Sequence, residues 1–152
     1  MTKIKAALAA LVAACNLLAA GAAAQEAAQP KLQTVQLNAG MHAIRAEVAA
    51  TFTQQAIGLM HRRDMAQHEG MLFVYDEPGV HCFYMRNTVL PLSIAFIGDD
   101  GTIVHIDDMK PLTLDSHCPP RPVRFMLEMN QGWFAKRNIK PGYRLSGPPF
   151  SK

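Results

Sequence analysis

The sequence predicts a mostly β fold of the α+β kind, a compact distorted β-sandwich or small barrel with one or two short helices. Three observations lead there. Leu92–Ile97 and Thr102–Asp107 are apolar, β-branched runs of strand length, and Gly98-Asp99-Asp100-Gly101 between them has turn chemistry, so the pair reads as a β-hairpin. Other stretches alternate with period two, among them Gln33–Leu37, His42–Val48 and Val123–Met129. Helical spacing is confined to two short segments.

In chain order, Val35 and Leu37 share one face of a first strand, Asn38-Ala39-Gly40 turns, and Ile44, Ala46 and Val48 share a face of a second. Thr51 or Thr53 caps a helix whose Phe52, Ala56, Leu59 and Met60 fall at helical spacing. Gly58 weakens it by about 1 kcal/mol relative to Ala, and Arg62, Arg63 and Asp64 close it. Gly70–Tyr75 suits a strand buried on both faces, and Cys82–Met85 a further apolar strand. In the hairpin, which Pro91 starts, Leu92, Ile94 and Phe96 are expected on one face with Ile103, His105 and Asp107, and Ala95 and Ile97 on the other with Val104 and Ile106. Pro111, Pro119, Pro120 and Pro122 make Lys110–Pro122 a long loop. Val123–Met129 is a strand, Gly132–Asn138 one or two helical turns, and Tyr143–Leu145 a last short strand.

Residues 1–24 belong to none of this. Lys3 and Lys5 precede an Ala/Leu/Val run that ends in Gly21-Ala22-Ala23-Ala24, which reads as a signal peptide and implies export to the periplasm or the extracellular space. A membrane anchor suits an Ala-dominated run poorly. A lipobox, Val12-Ala13-Ala14-Cys15, would leave the apolar Asn16–Ala24 on the mature chain. Residues 25–32 read as a disordered leader and 33–152 as a single domain. Without Lys3 and Lys5 the mature chain has 13 basic and 12 acidic residues, a net charge of +1. No basic run marks a nucleic-acid or anionic membrane surface, and the mature protein is expected to be a soluble monomer. Cys82 and Cys118 are the thiols left; in an exported protein two such thiols usually pair, the alternative being two separate buried thiols.

Several motifs together resemble a known family. Gly58-Leu59-Met60 with Arg62, Gly70-Met71-Leu72-Phe73, Met85-Arg86-Asn87-Thr88 followed by Pro91-Leu92, Asp100-Gly101 with Ile103-Val104, Leu127-Glu128, Gly132 and Ile139-Lys140-Pro141-Gly142 are similar to the domain of unknown function 192 family, over Thr34–Leu145. The resemblance implies a compact, mostly β, often exported domain and assigns no reaction. Where that family usually has Asp after the Pro-Leu pair, this chain has Ser93.

Catalytic motifs are missing: there is no G-x-S-x-G, H-E-x-x-H or Gly-rich phosphate loop. Cys82 with His81 or His117 would be a thiol and base pair, in competition with disulfide formation. Six His and eight Met in the mature chain suit soft copper chemistry by type, but the Met residues are scattered, and His105 with Asp107 makes a plain hydrogen-bonded pair as readily as a metal site. The sequence therefore names no catalytic residue, metal ligand or cofactor. Its best candidate site is Arg86, Asn87 and Thr88 with Arg62, on a loop anchored by Met85 and Pro91, expected to line one concave surface for a small polar or anionic ligand or a partner protein. A structural role in a turn competes with that reading for Asn87 and Thr88. An enzyme, such as a hydrolase, or a copper-handling protein using the same pocket is the alternative. Glu128, alone in an apolar strand with Met126 on its face, is expected to be buried and bonded to backbone N–H groups or to Arg86 or Arg62.

Overall fold

The computed structural model describes residues 27–150, so the expected signal segment lies outside the described residues. Six strands form one sheet: β1 Thr34–Ala39, β2 His42–Ala49, β3 Glu69–Gly79, β4 Leu92–Ile97, β5 Ile103–Met109 and β6 Val123–Asn130, in the order β1-β2-β3-β6-β4-β5. A two-residue turn at Gly40-Met41, with Gly40 at φ +59°, joins β1 to β2. The connection from β2 carries α1, Phe52–Ile57, and returns the chain parallel to β2 as β3; the remaining pairings are antiparallel.

The mostly β expectation holds, but the sheet does not close into a barrel. Instead its edges are clasped. Asn38 of β1 exchanges backbone hydrogen bonds with Ser146, at 2.9 and 3.0 Å, and the Ile103 N–H of β5 donates to Tyr143 O at 2.9 Å. In a flat sheet those edges would stand roughly 24 Å apart, whereas four extended residues span only about 13 Å. The sheet must therefore curl around the face that the clasp covers. This explains why the segment expected as a last strand makes only isolated bridges: each of its ends bonds a different edge.

Both faces of the sheet are apolar and buried. On the clasped face Leu37, Ile44, Leu72, Ala95, Ile97 and Leu127 pack under Trp133, Phe134, Ile139 and Leu145. On the outer face Met71, Phe73, Ile94, Phe96 and Met126 are covered by Leu59, Phe83, Met85 and Leu90. Each Leu, Ile, Phe or Met side chain among them contributes about 1.5–3 kcal/mol by burial. The second helical segment is a single 3₁₀ turn, Ala135–Arg137.

The hairpin forms as expected except at its turn. A register shift between Phe96 and Ile97 pairs Ile97 with Ile103, so Ile103 joins the clasped face and Val104 the outer one, the reverse of the expectation; His105 and Asp107 stay with Phe96 and Ile94. The expected strand Cys82–Met85 is reduced to a bridge between Phe83 and His117, because the segment pairs with the Pro-rich loop and not with the sheet. Cys82 and Cys118 are joined in a disulfide, with Cα atoms 4.3 Å apart, which locks that pairing.

Candidate functional site

Arg62 is not part of an open surface. Thr51 caps α1 through a reciprocal box with Gln54, and the helix ends at Gly58, whose φ of +51° turns the chain back toward the sheet. A Cβ at Gly58 would lie 3.2 Å from Phe73 Cζ, so glycine also permits this approach. The Arg62 guanidinium enters the protein and grips Glu47, Nη1 to Oε1 at 3.2 Å and Nη2 to Oε2 at 2.9 Å, with both residues buried. Lys31 Nζ, 3.0 Å from Oε1, and the Leu32 N–H, 2.8 Å from Oε2, complete the carboxylate's shell. Burial pushes Glu47 up, but the Leu32 N–H, Lys31 and Arg62 together hold it below the usual range.

The tetrad meets the helix exit through backbone: the His61 N–H donates to Asn87 O at 2.8 Å. Met85 is buried, Thr88 N–H donates to Met85 O at 3.0 Å, and Asn87 sits at φ +54°, so Met85–Thr88 is a turn with Asn at the left-handed position. Arg86 is exposed and lines a shallow surface depression with Tyr84, Asn87, Leu112 and Leu114. Thr88 is buried and faces a different cavity, and Pro91 is exposed, its carbonyl accepting from the Gln131 N–H at 3.0 Å. The four expected site residues thus divide among an internal ion pair, a surface depression and a pocket.

That pocket, about 220 Å³, lies between α1, the outer face of the sheet and the segment before the tetrad turn. Leu59, Phe73, Tyr75, Phe83, Thr88 and Glu128 are among its walls, and Phe52, 85% exposed, stands at its mouth. The apolar face expected for α1 therefore does not pack on the sheet: no residue of the helix is buried, and Leu59 beyond it makes the contact. Phe73 and Phe83 meet edge to face, with centroids 4.8 Å apart.

Glu128 is buried, as expected from its strand, with 5% of its surface exposed. The expected partner is missing: among the described residues none donates a hydrogen bond to its carboxyl group, and burial alone pushes it up to about 8. Tyr75 is raised in turn, first by its own burial and then by the neighbouring Glu128. The reason is register. Glu47, Met71, Glu128, Ile94 and Asp107 are successive partners across β2, β3, β6, β4 and β5. Arg62 arrives at the β2 end of this rung and takes Glu47; at the other end His117 Nδ1 lies 2.5 Å from Asp107 Oδ2.

The chemistry open to the site follows from these contacts. With Cys82 in a disulfide, the thiol and base pair has no thiol. His105 stacks on Phe96 while Asp107 pairs with His117, so His105 and Asp107 do not act together, and among the described residues no three His, Cys, Asp or Glu side chains are grouped to hold a metal ion. Ser93, at the position of the family's usual Asp, is structural: its hydroxyl donates to Asp108 and accepts the Gly132 N–H at 2.8 Å. The aromatic walls could have been found from sequence only as core residues, since Phe73 and Phe83 lie in strand-like apolar runs.

Residues 34–147 match the model of the DUF192 family, described as Uncharacterized ACR. Among solved structures the chain is similar to a proposed transcription regulator from Sinorhizobium meliloti 1021, with 34% identity over 78% of this chain and 97% of that one and a TM-score of 0.74. It is also similar to a protein of unknown function from Novosphingobium aromaticivorans DSM 12444, with 34% identity over 80% and 94% of the two chains and a TM-score of 0.70. A comparison with curated proteins gives no match. By its sequence match and its fold, the chain belongs to the DUF192 family.

Proposed function

We propose that the protein is an exported binding module that holds a small polar ligand in the pocket beneath α1, with Glu128 as the polar anchor. One observation carries the reading: a buried carboxyl group with no partner among the described residues lines an open cavity that has Phe52, Phe73, Tyr75, Phe83 and Tyr84 in its walls. A buried polar group without a bond costs about 1–3 kcal/mol, and a ligand donor arriving there recovers it. A cavity of about 220 Å³ is below the ~300–1,000 Å³ of sites for drug-sized molecules, so the ligand is small. The anionic ligand suggested by two converging arginines loses its support, because Arg62 is neutralised by Glu47.

Exposed Leu112, Leu114 and Tyr84 beside Arg86 favour a partner protein as the second reading. Amide NMR spectra recorded with mixtures of small polar compounds separate the two. Shifts clustered on Leu59, Tyr75, Thr88 and Glu128 support the pocket. Spectra unchanged there by every mixture would contradict it.

A further inference from the structure

We infer that the ligand of the pocket beneath α1 is a small organic cation, an ammonium group received by the aromatic walls and the Glu128 carboxyl group. This rests on the pocket reading above and adds the charge of its ligand. The walls contain no Lys, Arg or His, and Glu128 is their one acidic side chain. Its two acidic neighbours on the same rung of the sheet both have side-chain partners, Glu47 in Arg62 and Lys31 and Asp107 in His117. Glu128, which lies between them, has no such partner among the described residues, so a partner for it arrives with the ligand. The remaining surface suits a cation as well. Phe52, Phe73, Tyr75, Phe83 and Tyr84 line the cavity, Tyr75 with one face stacked on His81, and a ring face left open to the cavity attracts an ammonium group, more strongly as water is excluded. An anion would meet a carboxyl group and ring faces without one positive charge. A neutral ligand would use the rings and a hydrogen bond to the carboxyl group but gain no charge attraction.

The test compares choline with 3,3-dimethylbutan-1-ol, in which carbon replaces the nitrogen and the charge is lost while the shape is kept. Both are titrated into the protein at pH 8.5, followed by amide NMR, and into Glu128→Gln. The expected result is that choline binds at least tenfold more tightly than the alcohol, with shifts at Tyr75, Thr88 and Glu128, and that Glu128→Gln brings the two affinities together. If the alcohol binds equally or better, the cation inference is overturned while the pocket reading stands. If neither compound shifts a pocket amide, the cation inference is overturned and the pocket reading is decided by the mixtures above. A tenfold preference for choline that survives in Glu128→Gln overturns the role of the carboxyl group. The wild-type comparison decides the charge question even if that variant does not fold.

Discussion

Glu47 and Glu128 lie on one rung of the sheet, on either side of Met71, and only Glu47 has a counter-charge. Both are buried carboxyl groups on neighbouring strands, yet one is held ionised by Arg62, Lys31 and the Leu32 N–H, and the other is pushed to about 8 by burial alone. Two sites with opposite behaviour follow from this one difference.

For the paired site, Arg62→Ala strands the Glu47 carboxylate inside the protein. A loss of about 3–5 kcal/mol is expected in denaturant unfolding, towards the lower end because Lys31 remains. The double variant Glu47→Leu with Arg62→Met removes both charges and is expected to recover most of that loss. Equal destabilisation of the single and double variants would show that the pair's charges are not what matters.

For the unpaired site, the sign of the pH dependence is the test. Between the ordinary value near 4.5 and about 8, the unfolded chain has released the Glu128 proton and the folded chain has kept it. Stability therefore falls as pH rises through this window, by up to ~1.4 kcal/mol per pH unit. Tyr75 is the titratable group beside Glu128, and its own shift is upward, outside the window. Glu128→Gln mimics the protonated form, so the stability difference between wild type and variant should slope downward with pH. A flat difference from pH 5 to 8 would contradict the assignment.

Asn87 distinguishes a turn residue from a ligand contact. At φ +54° a side chain other than Asn or Gly costs roughly 1 kcal/mol, so Asn87→Ala should lower the melting temperature by several degrees and Asn87→Gly by much less. Unchanged melting of Asn87→Ala with weakened ligand binding would favour direct contact instead.

The Cys82–Cys118 disulfide encloses a sequence separation of 36 residues, for which chain entropy gives roughly 3–4 kcal/mol. Reduction, or Cys82→Ser with Cys118→Ser, should destabilise by that order, and denatured protein without reductant should titrate no thiol from this pair. Two free thiols would refute the pairing.

The hairpin, the Val123–Asn130 strand and the cysteine pair were legible because each is set by local pattern or by arithmetic on few residues. Phe83 was legible as buried but not as loop, since an apolar run reads as strand whether it bonds the sheet or, as here, His117. Ile103 and Val104 changed faces because one bulge shifts period two by a residue, which no side chain in the turn announces. Glu128 was legible as buried, and the error lay in its partner. Glu47 and Glu128 have equal claim on Arg62 in the sequence, and only the pairing of β2, β3 and β6 decides that Glu47 takes it.

The most direct test of the account is the titration of Glu128 itself, read from its side-chain carboxyl ¹³C shift between pH 3 and 10. A midpoint near 8 is expected for a buried carboxyl group without a partner. A midpoint at or below the ordinary 4.5 would mean that the protein supplies a donor or a counter-charge to Glu128, and the pocket would lose its anchor.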